Sequence, residues 1–171
     1  MSLSAGGSSG GAGAAVAAQL VPFADGTDQM GSCRSPAAYS NIYGFRPTPG
    51  LIASVRSVSQ KNLPILTTPG FLSRTPDDMA IILDAATGNN KLDPHSFNLK
   101  YSFADTEISD FKFKNIKIGW LSDMNGNYKF ENEILQICEK KLSKLNNLNL
   151  KVEYLKPNID TDELWDLWTT L

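Results

Sequence analysis

Histidine is almost missing from this chain: His95 is the only one among 171 residues, and the cysteines number two, Cys33 and Cys138. With no CxxC pair and no Cys/His spacing, the ligands of a metal centre cannot be assembled, so none is expected. Two widely separated cysteines also give no disulfide framework, which points to a reducing compartment, read here as the cytoplasm. Long apolar runs are lacking: nothing approaches the ~20 residues that a membrane-spanning helix needs. The N-terminus lacks the basic, apolar, small-residue order of a secretory leader. Nor is there an excess of one charge. Sixteen Lys+Arg face eighteen Asp+Glu for a net −2, and the basic residues form no patch that would collect phosphates. Neither direct nucleic-acid binding nor a membrane partner is expected.

What is present is apolar material for one core of ordinary size, 42% of residues against 20% charged, and hardly for two. The stretch AGGSSGGAGAAVAAQL (residues 5–20) is the one of low complexity. As a flexible linker it needs a folded unit on each side, and little precedes it. As a phosphate loop it fails, because no Lys-Ser or Lys-Thr follows at the proper offset and the dinucleotide spacing is absent. Composition alone leaves the linker reading open. Met1-Ser2-Leu3 reads as a cloning scar, so 4–171 is taken as one partial domain.

The small residues from Gly10 to Leu20 predict a closely packed helix. Val21-Pro22-Phe23-Ala24 predicts a short strand, and Asp25-Gly26-Thr27-Asp28 a turn-rich stretch. Pro36, Gly44, Pro47, Pro49 and Gly50 then predict irregular chain to about residue 70. Thr75-Pro76-Asp77-Asp78 is a helix start: a capping hydroxyl, a proline at the first position, and two acids at the positive end. Met79, Ile82, Leu83 and Ala86 follow at helical spacing, with Gly88 as the stop. Residues 116–121 alternate as a strand. A helix from about Phe130 to Leu145 aligns Phe130, Ile134, Ile137, Cys138, Leu142 and Leu145, and Leu148 to Leu155 reads as a second strand, so this region predicts a parallel crossover of the α/β class. Asp160 to Leu171 carries a capping pair, Asp160 and Glu163, and an apolar stripe of Leu164, Leu167, Trp168 and Leu171 that expects a covering surface.

Taken in order, GGSSGGAGAAVA (Gly6 to Ala17), ADGTDQMGSCRSPA (Ala24 to Ala37) and YGFRPTPG (Tyr43 to Gly50) resemble the amidase signature family of serine hydrolases. TTPGFLSRTPDDMAIILDAATG (Thr67 to Gly88) continues the resemblance more weakly. It implies an α/β fold with a mixed sheet flanked by helices, partial in this chain, and amide hydrolysis through an acyl-enzyme on a small-molecule amide, without cofactor. Ser32 corresponds to the nucleophile and Ser8 to the bridging serine, which follows a cis peptide bond from Gly7. The backbone N–H groups of Gln29, Met30, Gly31 and Ser32 correspond to the oxyanion hole, while Gly7, Ser9, Asp28 and Arg34 correspond to supporting positions. A serine hydroxyl is a weak nucleophile that needs a base within reach, and in the family a lysine, made neutral by burial, takes the proton that the bridging serine relays.

Three departures qualify the match. Met30 stands where the family has Gly or Ala, and Cys33 where it has an aliphatic residue or Thr; Cys33 is read as a small buried side chain rather than a second nucleophile. The family's lysine lies upstream of the Gly-Ser stretch, and Lys61 and those from Lys91 onward match no such position. The chain is accordingly expected to be a piece truncated at both ends and a poor enzyme by itself. Two rivals stand beside the amidase reading: a catalytically inactive piece that associates with copies of itself or a partner through exposed apolar surface, and the amidase-like component of a tRNA-dependent amidotransferase. A Ser/His/Asp site using His95 is disfavoured, since the motif supplies another base, and Asp77 and Asp78 are read as helix-capping acids.

Overall fold

A computed structural model describes residues 4–54, 66–106, 116–148 and 150–170; Lys61 lies outside them. The chain divides into two compact units, Met1–Glu107 and Ile108–Leu171.

The first unit contains helices α1 (Gly10–Ala17), α2 (Arg34–Ser40) and α3 (Pro76–Ala86) and strands β1 (Phe23–Asp28), β2 (Tyr43–Phe45) and β3 (Thr68–Ser73). The strands form an antiparallel sheet in the order β1-β3-β2. Helix α1 ends at Ala17, short of the expected Leu20, because Gln19 turns into the left-handed region at φ 63°. The Gln19 N–H then reaches the Val16 carbonyl at 3.1 Å and the Leu20 N–H the Ala15 carbonyl at 3.0 Å, the paired closure of a Schellman motif.

Two expectations are corrected here. Asp25-Gly26-Thr27-Asp28 is strand, not turn: β1 pairs with β3 along its whole length, from Phe23 opposite Ser73 to Asp28 opposite Thr68. That ladder satisfies the backbone and overrides the local preference of these residues. The stretch expected to be irregular up to residue 70 holds α2, β2 and the start of β3. Pro36 lies in the first turn of α2, where a missing N–H costs nothing. Strand β2 pairs only with Phe71, Leu72 and Ser73. Among the described residues Pro69 therefore stands where β3 has a neighbour on one side alone, and there a strand tolerates proline.

Successive residues of β3 serve opposite faces. Leu72 joins Val16, Cys33 and Ala37, with α1 and α2 on that side, and Phe71 joins Ile52, Met79 and Leu83 with α3 on the other. Helix α3 starts as its sequence predicts, the Thr75 hydroxyl accepting the Asp78 N–H at 3.0 Å.

The second unit contains β4 (Lys117–Trp120), α4 (Asn132–Leu142), a 3₁₀ segment (Ser143–Leu148), β5 (Lys151–Tyr154) and α5 (Thr161–Thr170). The two strands are parallel, Lys117 opposite Lys151 and Trp120 opposite Tyr154, as the crossover pattern predicts. Asp160 caps α5, its Oδ1 accepting the N–H groups of Asp162 and Glu163 at 3.0 and 3.1 Å. No residue of α4 or α5 is buried, so both apolar stripes stay largely open.

Candidate active site

Strand β1 delivers Asp28 at its end, the chain loops through Gln29–Cys33, and α2 begins at Arg34. The Asp28 side chain, wholly buried, organises this loop. Its Oδ1 accepts the Gly31 N–H at 2.7 Å and Arg34 Nη2 at 3.0 Å; its Oδ2 accepts Arg34 Nε at 2.9 Å and the N–H groups of Cys33 and Arg34, both at 3.3 Å. Burial by itself would raise the Asp28 carboxyl, but the Arg34 guanidinium and three backbone donors outweigh it and hold the group well below the usual carboxylate range. Gly31 takes φ +96°, and a Cβ there would meet Ser35 Oγ at 2.9 Å; this tight left-handed turn suits glycine alone.

The remaining peptide groups of the loop are fixed by other partners. The Gln29 carbonyl accepts Arg46 Nη1 at 3.2 Å, the Gly31 carbonyl accepts the Ser35 N–H at 2.6 Å, and the Ser32 carbonyl accepts the Ser9 N–H at 3.2 Å. Among the described residues no partner engages the N–H of Met30 or of Ser32. Of the four donors expected from the sequence, Gly31's is thus given to Asp28. Met30 carries its larger side chain outward, 56% exposed.

The Ser9 bond also brings the glycine-rich segment to the loop. The peptide bond between Gly7 and Ser8 is cis, Ser9 stands at the position just before α1 without a side-chain cap bond, and Ser8 is exposed. The segment fits against β1 because Gly26 has no side chain: a Cβ there would meet Ser9 Oγ at 2.7 Å and Cys33 Sγ at 2.9 Å. Ser32 is half-buried, and among the described residues neither its hydroxyl nor that of Ser8 has a hydrogen-bond partner. What the structure brings together is therefore the backbone of the two serine segments, 24 residues apart in sequence.

Cys33 is fully buried, and burial together with the Asp28 charge pushes its thiol up to about 11. A protonated, enclosed thiol is a poor nucleophile, which agrees with its reading as a packing residue. His95 is exposed and its backbone N–H donates to Asp93 Oδ1 at 3.0 Å; no hydrogen bond joins its ring to Ser32. Asp77 and Asp78 occupy the first turn of α3. Among the described residues no group of His, Cys, Asp and Glu is placed to hold a metal ion, and no helix is long and apolar enough to cross a membrane.

Sequence reasoning missed three contributors: Gly26, Arg46 and the Gln29 side chain, whose Oε1 accepts Thr67 Oγ1 at 2.8 Å. Arg46 lies inside the quoted YGFRPTPG stretch, but its partners are 17 and 20 residues away in sequence, beyond any local spacing signal.

A family model described as Amidase matches residues 1–170. Over 138 residues the chain is 36% identical to a glutamyl-tRNA(Gln) amidotransferase component from Saccharolobus solfataricus, covering 81% of this chain and 26% of that protein. A bacterial aryl acylamidase, described as one of the amidase signature enzymes, superposes with a TM-score of 0.84 at 32% identity, over 96% of this chain and 33% of its own. A 6-aminohexanoate cyclic dimer hydrolase complexed with substrate gives 0.76 at 28% identity, over 88% and 32%. The chain spans about a quarter to a third of the length of these proteins.

Proposed function

The chain belongs to the amidase signature family, and from that membership we propose that it carries the nucleophile side of a site that hydrolyses linear carboxylic amides. Ser32 Oγ attacks the carbonyl carbon as its proton passes to Ser8, which relays it to the lysine that the family places upstream. The carbonyl oxygen takes the negative charge. Collapse of the tetrahedral intermediate expels ammonia or an amine, which carries the proton away, and leaves an ester on Ser32. Water then attacks that ester by the reverse relay and releases the acid.

The observation that supports this reading is the backbone of the loop. Each peptide group from Gln29–Met30 to Ser32–Cys33 is tied down by at least one bond, while the N–H groups of Met30 and Ser32 have no partner among the described residues and can receive an oxyanion; fixed donors of this kind are worth about 3 kcal/mol each to the transition state. Gly31 and Asp28 shape the loop, and the Gln29 carbonyl ties it to Arg46. The bond from the Ser9 N–H to the Ser32 carbonyl joins the two serine segments, which supports a relay between them.

The test is a fluorophosphonate probe applied to the protein expressed from its complete natural reading frame, with the adduct located by peptide mass spectrometry. The adduct is expected on Ser32, to disappear in Ser32→Ala, and to form about 100-fold more slowly in Ser8→Ala. An adduct elsewhere, or amide turnover undiminished in Ser32→Ala, overturns the proposal.

A second reading, a glutaminase component that passes ammonia to a partner, is favoured by the name of the Saccharolobus solfataricus relative. It predicts glutamine hydrolysis that a partner protein stimulates, whereas a free-standing amidase turns over simple aryl or alkyl amides alone.

A further inference from the structure

We infer that Arg46 is a positioning residue for oxyanion stabilisation, an inference that rests on the amidase reading above. Its guanidinium bridges two separated segments: Nη1 donates to the Gln29 carbonyl at 3.2 Å and Nη2 to the Leu66 carbonyl at 2.9 Å. Nη1 also lies 3.6 Å from Asp28 Oδ1, with the Arg46 side chain only 27% exposed.

The consequence follows from the geometry of one peptide group. The Gln29 carbonyl and the Met30 N–H belong to the same planar trans unit and point in opposite directions. Holding the carbonyl against Arg46 therefore aims the Met30 N–H away from Arg46, and that N–H, like the one on Ser32, has no partner among the described residues. The Ser32 N–H shares its plane with the Gly31 carbonyl, which is held by the Ser35 N–H within the start of α2. The Ser32 donor is thus set by local backbone, whereas the Met30 donor depends on a side chain from a distant loop. Gln29 is tied to the same neighbouring segment by its own side chain, through Thr67. A planar fork suits this task because it can address two carbonyls and a carboxylate at once without losing its charge.

The experiment compares amide hydrolysis by the full-length natural protein and by Arg46→Met, which keeps the stem and removes the donors. The kcat is expected to fall about 10- to 100-fold while KM changes less than about threefold, the signature of an interaction made in the transition state. Binding of a trifluoromethyl ketone, which places a charged oxygen in the oxyanion site as a hemiketal, is expected to weaken by a similar factor, with affinity for the product acid retained. Arg46→Lys, still able to donate to one carbonyl, is expected to recover most of the loss. A folded Arg46→Met with kcat and ketone affinity unchanged overturns the inference, and so does a variant that loses only thermal stability. Should Arg46→Met fail to fold, the same two constants are read in Arg46→Gln, where a lower kcat at constant KM supports the inference and an unchanged kcat overturns it. Full turnover in Ser32→Ala would instead remove the amidase reading, and this inference with it.

Discussion

Replacing Asp28 with asparagine keeps its shape and removes its charge, and the structure gives the size of the effect. The carboxylate faces donors on both oxygens: the Gly31 N–H and Arg34 Nη2 on one, the Cys33 and Arg34 N–H groups and Arg34 Nε on the other. An asparagine can keep the Gly31 bond with its oxygen, and its NH₂ then opposes three donors. An unsatisfied buried N–H costs about 1–3 kcal/mol, and Cys33 supplies one with certainty, being fully buried. The Arg34 side chain is 54% exposed, so solvent screens its pair and about 1 kcal/mol is the most it adds. The sum is a loss of about 1–4 kcal/mol, a large share of the ~5–15 kcal/mol that holds a typical domain together. Urea unfolding of the two proteins at pH 7 measures it, and a difference below about 1 kcal/mol would refute the reasoning.

The same substitution has a pH signature with a definite sign. The Asp28 carboxyl is lower in the folded protein than its ordinary value. Its ionised form is thus favoured by folding, and the stability it contributes is complete above the unfolded value near 3.9. That contribution is lost as pH falls through about 4 toward the depressed folded-state value. The gap between wild type and Asp28→Asn should therefore be flat from pH 6 to 8 and narrow below about pH 4. A gap that widened on acidification would contradict the assigned role.

Two further outcomes follow from the same contacts. Gly26→Ala should drive Ser9 and Cys33 away from β1, since the new methyl would approach both within 3 Å; a loss of about 1–3 kcal/mol in unfolding experiments and slower probe labelling of Ser32 are expected, and normal labelling would show that Ser9 does not position the site. Iodoacetamide at pH 8 should alkylate the half-buried Cys138 before Cys33, whose thiol is enclosed and raised to about 11; equal rates by peptide mass spectrometry would refute the burial argument.

Local chemistry is what made part of this molecule legible. The start of α3 was readable because Thr75, Pro76, Asp77 and Asp78 each act within one turn of themselves. The β4–α4–β5 crossover was readable because periodicity within each segment carries the signal. Strand β1 was not: Asp25-Gly26-Thr27-Asp28 favours a turn by composition, and only a ladder to the distant residues Thr68 to Phe71 makes it a strand. Likewise α2 and β2 lie among prolines and glycines whose local preference is irregular, and their pairing and packing partners decide otherwise.

For the site the division is similar. The order of the glycine-serine stretch, the loop around Ser32 and the YGFRPTPG segment was enough to name the family and to nominate Ser8, Ser32, Asp28 and Arg34, because such motifs are written in nearby letters. Which N–H groups remain unengaged was decided only in three dimensions. Asp28 takes Gly31's, Arg46 turns the Gln29–Met30 peptide, and Gly26 makes room for Ser9. Each depends on atoms brought together across the fold, and a linear sequence carries no distance between residues that touch only after the chain has folded.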